Sequence, residues 1–209
     1  MIDKEQKIAK IISQALNSFF LPVYAFVFYL LLMVLYNGYA NTWTVILKSI
    51  TLYILVSCLL PIFILYLLNN NSFHNFIEKT RTSNQSYVII SISYFVSYLY
   101  FSILNISVWF DMGLLIPIYT TLAVLLLRKK MTTSLDIITL GAITFYVFFL
   151  TIKYYYVFSI YPLLIVILLS GLLTYSHLIQ NLITSKQTIQ NYLIGFLITL
   201  FVVFFVLIV

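Results

Sequence analysis

Side chains able to do chemistry are scarce in this chain, and their grouping limits what that chemistry could be. Among 209 residues there are two histidines, His74 and His177, five acids and eleven lysines plus arginines. Half of them sit in three polar stretches. One passes from Glu78 through Lys79 and Arg81 to Gln85, a second from Arg128 through Lys129, Lys130 and Ser134 to Asp136, and a third from Ser176 through His177, Gln180, Asn181 and Lys186 to Gln187. A cationic cluster fed by several helix ends can neutralise a phosphate group, with helix N-termini adding backbone donors. The same cations can equally be ordinary charges at a membrane boundary, and for Arg128, Lys129 and Lys130 that plainer reading is preferred. The histidines and acids show no metal-ligand spacing, so neither a metal nor another cofactor is expected. No phosphate-cradling glycine loop, nucleophile elbow or nucleic-acid motif occurs.

The elements that must position these residues follow from composition. With 63% hydrophobic and 8% charged residues and a mean hydropathy of +1.09, the chain has too little polar surface for a water-soluble fold. An all-α, polytopic membrane bundle is predicted. Residues 1–17 read as an amphipathic surface helix, with Ile8, Ile11, Ile12, Ala15 and Leu16, and Phe19 beyond them, at helical spacing against Lys4, Lys7, Lys10, Gln14 and Asn17. Such a helix is expected on an anionic membrane surface. Residues 18–209 read as one transmembrane domain of seven crossings, at about 18–36, 45–68, 87–106, 110–127, 134–152, 156–175 and 189–209. Asp111 and Gly113 are expected to turn the chain between the third and fourth crossings, and the cluster Lys153 to Tyr156 between the fifth and sixth. Pro22, Pro61, Pro117 and Pro162 are expected to kink helices rather than break them. Ser102 and Asn105 are expected to bond between helices. Cys58 is the single cysteine, so no intrachain disulfide can form, and no cleavable signal peptide is expected.

Charge asymmetry sets the orientation. With seven crossings, one face carries Lys4, Lys7, Lys10, Lys79, Arg81, Arg128, Lys129, Lys130 and Lys186, and the other only Lys48 and Lys153, which can snorkel. The N-terminus is therefore predicted cytoplasmic, and the basic balance needs no nucleic-acid partner. No pair of polar residues at mid-membrane suggests a transporter.

The order of these motifs resembles the type 2 phosphatidic acid phosphatase (PAP2) superfamily, and within it a divergent bacterial group of membrane proteins. A Lys/Arg loop holds Lys79 and Arg81, Ser134 opens a helix, and Ser176 opens the loop before the last helix. Phe20 to Phe26 is similar to that group's Leu-Pro-Thr-Tyr-Gly-like start. Ser134 to Ala142 is similar to its Ser-x-His-x5-Gly element, and Ser170, Gly171 and Gly195 fall where it has small residues. The resemblance implies a PAP2-like core in a bacterial inner membrane. It also implies a site in which one histidine attacks phosphate, an acid orients it, a second histidine protonates the leaving group, and cations hold the phosphate.

Carried over by position, Lys79, Ser134 and Ser176 match. Ser86 and Tyr87 stand where an Arg-Pro pair is expected, Asp136 replaces the acid histidine, and His177 replaces a phosphate-binding arginine. Ile183 replaces the nucleophile and Gln187 its orienting acid. The resemblance thus implies a pseudoenzyme that binds phosphorylated lipid through Lys79, Arg81, Ser134, Ser176 and His177. A displaced site at His177, oriented by Asp136, is the catalytic alternative. A membrane scaffold or accessory subunit contacting a membrane-protein partner is the reading from a different class.

Overall fold

In a hydrocarbon interior every backbone amide must be satisfied within the chain, which leaves long apolar runs little choice but helix. The computed structural model describes residues 2–16, 23–24, 27, 43–69, 84–103, 108–154 and 160–208, and its regular elements are all helical. They are α1 (Ile2–Ala15), α2 (Trp43–Ile54), a π-helical turn (Leu55–Leu59), α3 (Leu60–Asn69), α4 (Asn84–Ser102), α5 (Val108–Leu127), α6 (Leu135–Tyr154), α7 (Ile160–Ile179) and α8 (Ser185–Ile208). Among the described residues, four stretches are long and apolar enough to cross a membrane: Ile50–Leu67, Leu135–Ile152, Ile160–Ile179 and Ser185–Val206. Most of the expected first crossing, the 70–83 loop with His74, Lys79 and Arg81, and Asn105 lie outside the described residues.

The chain divides into two compact units, residues 22–125 and residues 1–21 with 126–209. In the first, α2, the π turn and α3 follow one another without a break. Pro61 has no N–H to offer the carbonyl of Ser57 four residues earlier, and the ladder widens just before it, with the Leu60 N–H reaching the Leu55 carbonyl. Tyr53 packs edge-on against Phe101 of α4, and the Ser91 and Thr121 hydroxyls bond α4 to α5. Two expectations change here. Asp111 and Gly113 lie inside α5 rather than in a turn, with Asp111 in the first turn where the helix dipole favours a carboxylate. Ser102 donates to the Leu99 carbonyl of its own helix instead of bonding to a neighbour. Helix α5 continues through Pro117, as expected of a proline in a bilayer-length helix.

In the second unit α6 is the central helix, buried over 67% of its span against 22% for α7 and 28% for α8. It packs most extensively on α8, where two glycines remove the side chains that would hold the backbones apart. A Cβ on Gly141 would come 2.3 Å from the Tyr192 carbonyl oxygen, and one on Gly195 would come 1.9 Å from that of Ile138. Between close backbones a hydroxyl can bridge, and Thr199 donates to the Ala142 carbonyl at 3.0 Å. Phe145 and Phe196 close the same seam edge to face, 4.2 Å apart. Gly171, by contrast, faces open space. Helix α1 packs on α7; Ala9, Ser13 and, just past the helix end, Leu16 are buried, whereas Ile8 and Ile11 of the expected apolar face are exposed.

Candidate functional site

The polar break between the last two apolar runs is shorter in structure than in sequence, because capping draws both helices into it. Asn181 adopts the left-handed conformation, with φ of 53°. The Leu182 N–H donates to the His177 carbonyl at 3.0 Å and the Asn181 N–H to the Leu178 carbonyl at 3.1 Å, a Schellman closure of α7. Three residues later α8 begins with a reciprocal cap. The Thr184 N–H donates to Gln187 Oε1 at 2.9 Å, and the Gln187 N–H donates to Thr184 Oγ1 at 3.4 Å. Ser176 and His177 therefore lie in the last turn of α7, and Lys186 and Gln187 in the first turn of α8.

That turn of α7 meets the first turn of α6. His177 Nε2 lies 3.5 Å from Asp136 Oδ2, with His177 2% and Asp136 3% exposed. The two helix ends suit these residue types, since a helix N-terminus favours a carboxylate and a C-terminus a basic group. The two side chains are thus neighbours, yet neither ring nitrogen of His177 makes a hydrogen bond. A histidine beside a carboxylate is the arrangement used for proton transfer or nucleophilic attack. Here it is closed to solvent, so a substrate would reach it only after the surrounding elements had moved.

Asn191, fully buried nearly two turns into α8, holds the loop before α6. Its amide nitrogen donates to the Thr132 carbonyl at 3.3 Å and to the Gln187 carbonyl at 2.9 Å, while its oxygen accepts from the Ser134 N–H at 3.4 Å. Asp136 follows two residues on, so Asn191 fixes the loop that sets the carboxylate in place. Ser176 faces another way: its hydroxyl donates to the Ala9 carbonyl of α1 at 2.6 Å and accepts from Gln180 Nε2 at 3.0 Å. Comparison with known protein families, curated proteins and solved structures finds no match.

Of the residues singled out in the sequence, His177 and Asp136 are brought into contact and Ser134 lies beside them at the start of α6. Ser176 neighbours His177 in sequence but is committed to anchoring α1. Gln187 caps α8, and Ile183 is half-buried in the loop between α7 and α8. Lys79 and Arg81 lie outside the described residues. Among those described, no three histidine, cysteine or acidic side chains group as a metal site would require. Two contributors went unread in the sequence. Thr184 and Gln187 form the Ser/Thr-x-x-Glu/Gln signature of a capping box, and Asn191 follows Gln190 near the start of the last apolar run.

Proposed function

We propose that this is a membrane protein that binds phosphorylated lipid headgroups at the polar end of α6, α7 and α8 and does not hydrolyse them. The observation that supports it most is the closed His177–Asp136 pair surrounded at the same end by exposed lysines: Lys4, Lys7 and Lys10 on α1, Lys129 and Lys130 before α6, and Lys186 at the start of α8. Flexible ammonium groups at a helix-end surface suit a phosphate in the headgroup layer, whereas a hydrolase must deliver phosphate to its nucleophile. In the full reading the chain crosses the membrane seven times around a PAP2-like core, in a bacterial inner membrane with the N-terminus in the cytoplasm. The anionic cytoplasmic leaflet then faces the lysines.

The test is direct binding of short-chain phosphatidic acid and of the matching diacylglycerol to purified protein. Phosphatidic acid should bind more tightly, and the preference should fall in high salt and in the triple variant K129Q, K130Q and K186Q. Equal affinity for the two lipids would remove the proposal and leave the scaffold reading.

A further inference from the structure

Helix α1 uses only one of its two apolar surfaces against the protein. At the roughly 100° step of an α-helix, Ala9, Ser13 and Leu16 fall within about 60° of one another and are buried, with Ala9, 1% exposed, bonded to Ser176 of α7. On nearly the opposite side, Ile8, Ile11, Ala15 and Lys4 fall within another sector of about 60°. There Ile8 is 57% and Ile11 64% exposed; Lys7, also exposed, borders the sector about 40° from its edge, and exposed Lys10 lies about 60° further round. A helix needing only to pack on α7 has no use for two adjacent isoleucines on its far side.

We propose that the Ile8–Ile11 ridge is a membrane-contact ridge, with the isoleucines entering the headgroup–acyl boundary of an anionic leaflet and Lys4, Lys7 and Lys10 meeting its phosphates. Two observations select a bilayer as the occupant. The first is charge: apolar residues bordered by lysines on one helix complement an anionic lipid surface. The second is continuity, because the Ser176–Ala9 hydrogen bond ties α1 to the last turn of α7, a helix long and apolar enough to span a membrane. That turn carries Ser176, His177 and Gln180, so α1 is anchored at the polar end of the span. The ridge would hold the lysine-rich end of this unit against the lipid whose headgroups it binds. It requires only that this unit be embedded in a membrane, and not that a phosphorylated lipid be preferred.

The test places a polarity-sensitive fluorophore on single cysteines at Ile8, Ile11 or Lys10, in full-length protein carrying C58S. The protein is reconstituted into nanodiscs of mixed phosphatidylglycerol and phosphatidylcholine. All three labelled positions are exposed, and thermal melting of each variant confirms that folding is intact. At Ile8 and Ile11 the expected result is blue-shifted emission, quenching by a headgroup-proximal nitroxide lipid and loss of quenching by aqueous iodide; at Lys10 iodide should quench. Iodide quenching at Ile8 and Ile11 equal to that at Lys10 would mean that the ridge faces water and would overturn the proposal. Protection from both quenchers would mean that protein covers it, and would overturn the proposal equally. Nitroxide quenching at Ile8 in a protein that binds phosphatidic acid and diacylglycerol alike would sustain the ridge while removing headgroup preference.

Discussion

At the scale of single residues, the site depends on Asn191 as much as on the ionisable pair. Replacing it with leucine removes its bonds to the Ser134 N–H and to the Thr132 and Gln187 carbonyls, all part-buried, at a cost of about 0.5–1.5 kcal/mol. Interhelical hydrogen bonds in membrane proteins fall at the lower end of that range. Thermal unfolding in detergent should show N191L melting several degrees lower, with Q190L, at an exposed neighbouring position, unchanged. An equal shift in both would mean that Asn191 holds nothing. Asp136 and His177 were legible as chemistry because ionisable groups are rare in a chain with 8% charged residues. Asn191 was not, since an amide in an apolar run looks alike whether it contacts a ligand or ties down a loop. Ser176 was legible as a polar residue, but its partner is the Ala9 carbonyl, 167 positions away in the sequence, and nothing local announces a backbone acceptor.

At the scale of elements, apolar run lengths located the helices but not their ends. Hydropathy marks where hydrocarbon thickness is matched, whereas helices stop where backbone groups find caps. The Schellman turn at Asn181 and the Thr184–Gln187 box therefore extend α7 and α8 beyond their apolar runs, taking Ser176 and His177 into helix. The three-residue turn expected around Asp111 failed for a related reason, because a glycine and an acid near a helix start are compatible with helix when the dipole and neighbouring helices favour it. Helix contacts were less legible than helices. Gly141 and Gly195 were visible as small residues, but only their carbonyl neighbours show that each permits the other helix to approach. G141A and G195A should each destabilise the protein by about 1–3 kcal/mol, because backbone must shift to admit the methyl group. G171A should be neutral or slightly stabilising, since nothing lies within 4 Å of its added carbon and alanine favours helix. Retention of the folded peak in fluorescence-detected size exclusion after graded heating would rank the three. Tolerance of alanine at Gly195 would contradict the close α6–α8 seam.

At the scale of the whole molecule, composition made membrane embedding legible, because no arrangement of so few polar residues could cover a soluble surface. The proposed orientation rests on where the lysines and arginines fall in the sequence. A cysteine at Ser185, exposed at the start of α8, should resist an impermeant thiol reagent in intact cells and react once the membrane is opened. Cys58 is buried and adds little background. Labelling in intact cells would place the lysine-rich end on the outer face and reverse the account. Function turns on whether the closed His177–Asp136 pair performs chemistry. Ile183 offers no nucleophile, and a carboxylate favoured at the N-terminus of α6 is poorly suited to protonating a leaving group. The decisive measurement is phosphate release from phosphatidic acid by purified protein, run beside H177A. The account predicts negligible release from both proteins at lipid concentrations that saturate binding. Robust release by the unaltered protein that disappears in H177A would contradict it and make His177 the nucleophile.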